Sequence, residues 1–147
     1  MRARAVTMGK IADILSSRGE WEEALRIRQE DELPVYERLG ALDSIAHAHW
    51  SIACIKDAQR RDQEVFEHLE KSYRLVLQLG RLDGIIVVGT ELGQRLCEAG
   101  QTEAGIAILK RSQEGLLKLG RVDQACQLQT CIEQLCPSEQ TSKQNGQ

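Results

Sequence analysis

The sequence predicts an all-α solenoid of about three helical hairpins, and three observations lead to this fold class. A Leu-Gly pair recurs at 39–40, 79–80 and 119–120, an interval of 40 residues. The composition includes two prolines, two tryptophans, two tyrosines and one phenylalanine, too few turn breakers and β-formers for a β-sandwich. Further glycines lie near the middle of two repeats and divide each into two amphipathic stretches. A period of this length is typical of helical repeat arrays.

Each Leu-Gly pair belongs to a longer motif that predicts where helices end and begin. The motif reads Leu-Gly, any residue, Leu or Val, then Asp, at 39–43, 79–83 and 119–123. A glycine just past a helix end adopts the left-handed conformation at little cost, and an acidic residue suits the first turn of the next helix. Gly19 and Gly100 precede acidic amphipathic stretches in the same way, whereas the middle repeat has Arg60 and Arg61 at this point. Each repeat is therefore predicted to hold two helices.

The motifs divide the chain into one predicted domain over 3–136 and a tail. The predicted repeats cover about 3–40, 41–80 and 81–120, and a capping helix covers 121–136. Seven helices are predicted, over 3–18, 21–39, 42–58, 61–79, 82–99, 102–119 and 122–136. The apolar stripe expected to cover the end of the stack is Val122, Ala125, Leu128, Ile132 and Leu135. Because residues 137–147 include no apolar side chain, they are expected to be disordered.

Two segments conflict with this assignment locally. The stretch 84–90 is rich in glycine and β-branched residues, which are poor helix formers, so we expect tertiary packing to override propensity there. Pro34 lies inside the helix predicted over 21–39 and should kink or break it. The alternative interpretation is two shorter helices that meet near Leu33.

The first repeat resembles a tetratricopeptide repeat (TPR), in the long form of roughly 40 residues seen in kinesin light chains and bacterial signalling proteins. The matching residues are Ile11-Ala12, Leu15, Gly19, Trp21, Ala24 and Leu25. Ile52-Ala53 and Leu92-Gly93 begin the corresponding pattern in the second and third repeats, although Lys56, Asp62 and Gly105 depart from it. The resemblance implies a right-handed α-solenoid whose first helices line a concave face. The family shares a shape rather than one activity.

Carried over to this sequence, the resemblance implies a partner-binding concave face. Its residues would be Asp13 in the first repeat, His47, Trp50, Cys54 and Asp57 in the second, and Val87, Thr90 and Gln94 in the third. The spacing of His47, Trp50 and Cys54 places them on one helix face without appeal to the family. Trp50 is the expected anchor of binding energy. The alternative is that Trp50 packs between first helices.

The type of partner follows from the residues that this face contains. Some TPR proteins bind carboxylate-terminal peptides through a Lys, Arg and Asn clamp, but the matching positions here hold no basic residue. The resemblance therefore favours an amphipathic or basic helix as the protein or peptide partner. The chain's net charge of -3 gives no electrostatic footprint for nucleic acid or for an anionic membrane.

Composition and cysteine usage predict a cytoplasmic protein. No stretch approaches the ~20 apolar residues that a membrane span needs. Five cysteines form an odd, unevenly spaced set, which favours reduced thiols over a disulfide framework.

Enzyme chemistry is not expected. Cys54 and His47 lie two helical turns apart, ~10 Å along the axis, too far for direct proton transfer. The last three cysteines, at 126, 131 and 136, advance by ~140° per step and do not converge on a metal. The sequence thus predicts a non-enzymatic interaction scaffold with no cofactor and no metal. Two alternatives are an oligomerisation or regulatory module of a larger signalling protein, self-associating through the N-terminal hairpin, and, with less support, a thiol or metal enzyme.

Overall fold

Helices make up nearly all of residues 2–135, the part of the chain that the computed structural model describes. The elements in order are α1 Arg2–Ser17, α2 Trp21–Arg26, a π-helical segment Ile27–Glu32, α3 Leu33–Leu39, α4 Leu42–Ala58, α5 Asp62–Leu79, α6 Leu82–Glu98, α7 Thr102–Lys118 and α8 Val122–Leu135. Strands are absent from these residues, and helices neighbouring in sequence pack in pairs. The predicted all-α class is confirmed. The predicted disordered tail, 137–147, lies outside the described residues, as does the last residue of the predicted cap.

Left-handed residues end the helices at the positions that the sequence motif predicts. Positive φ angles of 63° to 91° occur at Gly19, Gly40, Gly80, Gly100 and Gly120. In the middle repeat, where this glycine is missing, Arg60 adopts φ 59°. A left-handed conformation costs a residue with a Cβ about 1 kcal/mol, so the turn geometry is kept at the expense of local strain.

The chain divides into two compact units, with the boundary between Leu79 and Gly80. In the first unit, α1 packs against α2 and the π-helical segment, and α4 packs against α5. One buried apolar cluster joins the two hairpins of this unit: Ala12, Ala24, Leu25, Ile27, Ile52 and Ile55. Ala12 and Ala53, which match the repeat pattern, are also buried.

The helix predicted over 21–39 is continuous but contains the π-helical turn. Helical backbone runs from Trp21 to Leu39, with the widened turn at Ile27–Glu32 and Pro34 in the first turn of α3. Proline lacks the N–H that a regular helix would use at this point, and a fixed φ near −65° suits a first turn. The helix therefore changes from π-helical to α-helical geometry just before Pro34 and does not break. This change lies near Leu33, where the alternative interpretation placed the junction of two shorter helices.

In the second unit, α6 and α7 form a hairpin and α8 packs on α7. The segment 84–90 is helical despite its composition, as predicted, because Ile85, Ile86 and Val88 are buried. Gly93 and Gly105 allow the helices to cross closely: a Cβ on Gly105 would lie 2.6 Å from the Gly93 carbonyl oxygen. Packing thus determines the secondary structure here.

Helix α8 buries most of its predicted stripe. Ala125, Leu128 and Ile132 join the core of the second unit with Ile86, Leu109 and Leu116, and Leu135 packs against its edge. Val122, expected to be covered as well, is instead exposed in the first turn of the helix. Nowhere in residues 2–135 is a helix long and apolar enough to cross a bilayer.

Candidate protein-binding faces

Helix α4 in the first unit presents four of the predicted site residues on one side. At ~100° per residue, His47, Trp50, Cys54 and Asp57 fall within an arc of about 80°. His47, Cys54 and Asp57 are exposed and Trp50 is half-buried, while the opposite side of α4 is buried. Asp43 lies on the same arc at the start of the helix. We call these five residues the α4 face.

The α4 face is acidic. It has two aspartates, and the only Lys or Arg of α4 is Lys56, which is buried on the other side and bonded to Glu64 of α5 at 2.9 Å. That ion pair holds the pKa of the Glu64 carboxyl below its usual value, mainly through the hydrogen bond from Lys56. The one cation that α4 carries is thus directed away from the face.

Asp13, the predicted site residue of α1, belongs to an ion-pair cluster. Its exposed carboxylate accepts a hydrogen bond from Nη2 of Arg28, which lies in the π-helical segment. Nη1 of Arg28 donates to Oε2 of Glu32 at 3.0 Å, and both of these side chains are almost fully buried. The Nε of Arg28 is buried with no acceptor among the described residues. We call Asp13, Arg28 and Glu32 the ion-pair cluster.

Gly9 packs against the ion-pair cluster. A Cβ at this position would lie 2.7 Å from Oε2 of Glu32, so a larger residue would require the Glu32 carboxyl to shift. Burial raises the pKa of Glu32, and the negative charge of Asp13 adds to the shift, whereas Arg28 opposes it. Asp13 is therefore held in position by the buried side chains of Arg28 and Glu32, which belong to the π-helical segment.

Helix α6 presents the predicted residues of the second unit. Val87, Thr90 and Gln94 fall within an arc of about 60°. Val87 is exposed and the other two are half-buried. The Thr90 hydroxyl donates to the carbonyl of Ile86 at 2.6 Å, so its proton is used within the helix. This α6 face has one apolar and two uncharged polar side chains, unlike the acidic α4 face.

A histidine pair, which the sequence analysis did not identify, lies on the buried side of α4. Nδ1 of His49 and Nδ1 of His68 on α5 are 2.9 Å apart, and the rings stack with centroids 5.2 Å apart. Burial lowers the pKa of His49 to about 4, with His68 and Lys71 adding to the shift. Burial likewise lowers the pKa of His68, with Lys71 and Lys56 contributing. Because position 49 lies on the apolar side of α4, periodicity could have shown it to be buried, but not its partner across the hairpin.

Metal-ligating side chains are not brought together among the described residues. No group of three or more His, Cys, Asp or Glu side chains that could hold a metal occurs in 2–135. The cysteines at 54, 97, 126 and 131 form no disulfide within the part of the chain that the structure describes.

Comparison with known proteins supports the fold. The chain is similar to a crystal structure of nearly identical TPR-like repeats from a kinesin light chain protein of Podosopora anserina, with a TM-score of 0.64 and 14% sequence identity. The match covers 96% of this chain and 78% of that one. No protein-family model and no curated protein sequence matches the chain. The fold is therefore TPR-like, as the sequence resemblance implied.

Proposed function

We propose that the protein is a non-enzymatic interaction scaffold whose α4 face binds a basic or amphipathic peptide helix. The observation that carries the proposal is the composition of that face: Trp50 lies between aspartates on an exposed side of the helix that has no cation. An aromatic side chain supplies contact area, and the carboxylates supply complementarity to Lys and Arg. Asp13 of α1 is already paired with Arg28, so it is not counted among these carboxylates.

The alternative that Trp50 has a purely structural role makes a different prediction. A tryptophan that only packs within the fold would not sense a peptide, whereas one at a binding face changes its emission when covered. Trp50 is half-buried, and it makes no hydrogen bond to other described residues. Its fluorescence therefore distinguishes the two roles.

The experiment uses the full chain carrying Trp21→Phe, because Trp21 is the only other tryptophan and packs at the edge of the core. The probe is a synthetic 18-residue amphipathic helix of Leu and Lys, titrated while Trp50 emission is recorded. We expect a saturable change that weakens with salt. The matched peptide with Glu in place of Lys should give no change.

Charge variants test the site. Asp57→Asn should weaken binding of the basic peptide several-fold, since one complementary carboxylate is lost. Glu67→Gln, an exposed change on α5, is the matched control and should have no effect. The proposal fails if the folded protein shows no response to the basic peptide, if it responds equally to the acidic one, or if the two variants behave alike.

A further inference from the structure

Helix α1 exposes a set of aliphatic side chains on the side that faces away from α2. Val6, Ile11 and Ile14 are 42%, 39% and 53% exposed. At ~100° per residue they span an arc of about 140°. We call this arc of α1 the stacking face.

Two of the three corresponding positions of α4 are buried within the same unit, and the third, aligned with Val6, is the exposed His47. Ile52-Ala53 of α4 aligns with Ile11-Ala12 of α1, so Ile55 corresponds to Ile14. Ile52 and Ile55 are 0% and 3% exposed, in one cluster with Leu25 of α2 and Ile27 of the π-helical segment. A first helix of this protein thus uses these two positions to pack against the second helix of the hairpin before it. On α1 the same side-chain types are exposed at the same positions.

Charge at the edge of the stacking face indicates the chemistry of its partner. Gln59, at the end of α4, donates to Oε1 of Glu22 on α2 at 2.7 Å. The aligned residue after α1 is Arg18, Lys10 lies on the same arc, and Arg4 lies about 20° beyond its edge. The only acidic residue of α1 is Asp13, which is bonded to Arg28. The stacking face is therefore aliphatic and cationic.

We propose that the stacking face of α1 binds an acidic amphipathic helix of a partner protein, seated as α2 and the π-helical segment are seated on α4. Aliphatic residues of that helix cover Ile11 and Ile14, and a carboxylate near its start pairs with Arg18. This surface is separate from the α4 face and requires a partner of opposite charge.

A second copy of the chain fits this face less well. The side chains that contact α4 in this way, Leu25 and Ile27, are already buried in each copy. Pairing two stacking faces would bring together two sets of cations, at a cost in like-charge repulsion.

The test uses the full chain and a fluorescein-labelled synthetic peptide with the sequence of residues 19–39. This peptide contains Leu25 and Ile27 and the acidic start of α2. Fluorescence anisotropy should show saturable binding that weakens as salt is raised. Ile14→Glu should lower the affinity at least about tenfold, because it places a charge in the apolar contact. Arg18→Glu should also weaken binding. Val122→Glu, an equally exposed aliphatic position on α8, is the control and should leave binding unchanged.

Two results would reject the proposal. The first is that the folded protein does not bind the peptide, and the second is that the Ile14→Glu variant and the control bind it equally well. Sedimentation that shows a dimer lost on Ile14→Glu would assign the face to a second copy instead. Capture by phosphatidylserine vesicles without peptide binding, lost on the same substitution, would assign it to a membrane surface. Circular dichroism of Ile14→Glu, whose side chain is exposed, checks that the variant is folded.

Discussion

The histidine pair predicts that the first unit loses stability on acidification well above the pH at which carboxylates titrate. His49 has a pKa of about 4 in the folded protein, against 6.5 for an ordinary histidine. The folded state therefore binds fewer protons than the unfolded chain between these values. The stabilising effect is fully present above pH 6.5 and is lost as the pH falls towards 4.

The magnitude follows from the two pKa values. A difference of one bound proton gives a slope of about 1.4 kcal/mol per pH unit. For His49 alone, the free energy of unfolding should fall by about 2 kcal/mol between pH 7 and pH 4.5. His68 adds to the loss in the same direction, since its pKa is also lowered.

The assay is urea unfolding at several pH values between 7 and 4.5, followed by tryptophan fluorescence. Trp21 and Trp50 both lie before the unit boundary at Leu79, so the signal reports the unit that contains the pair. His49→Gln removes a buried histidine, and His47→Gln removes an exposed histidine from the same helix.

The comparison between the variants isolates the effect. We expect His49→Gln to lose more of the pH dependence of the natural protein than His47→Gln does, while the part that His68 contributes remains. Carboxylates titrate in all three proteins and cancel in the differences. If the natural protein and His49→Gln lose stability in parallel as the pH falls, the reasoning from the buried pair is refuted.

Two further predictions concern buried contacts, and unfolding free energies measured by urea denaturation check both. Arg28→Met leaves a buried carboxylate without its partner and should destabilise the protein by about 3 to 5 kcal/mol. Arg26→Met, in an exposed ion pair, should have little effect. Equal losses of unfolding free energy in the two variants would contradict the role of burial. Gly105→Ala places a Cβ 2.6 Å from the Gly93 carbonyl oxygen and should cost about 1 to 3 kcal/mol despite the better helix propensity of alanine. Gly115→Ala meets only a side chain at 3.1 Å and should be milder; the reverse order would rule out the close crossing.

Helix positions were largely predictable from the sequence because their ends carry local signals. A left-handed glycine after each helix and an acidic first turn depend on a few neighbouring residues, so the motif at 39–43 and its copies located the boundaries. Arg60 shows the limit of this reasoning, since it adopts the left-handed conformation without being glycine. The π-helical turn before Pro34 likewise had no distinct local signal beyond the proline itself.

The candidate site was predictable only in part. Helical periodicity placed His47, Trp50 and Cys54 on one side of α4, and the structure leaves that side accessible. Whether the α4 face binds a partner stays a prediction. The involvement of Asp13 with Arg28 could not be foreseen, because the two residues are 15 positions apart and belong to different helices.

The sequence by itself determined the repeat, the helical class and the face on which each helical residue lies, because these follow from spacing along one chain. Only the tertiary structure decided which side chains meet across helices: His49 with His68, Arg28 with both Asp13 and Glu32, and Gly93 with Gly105. Such pairs depend on the register and crossing of two helices. Packing of whole surfaces sets both, and no local signal in either helix specifies them.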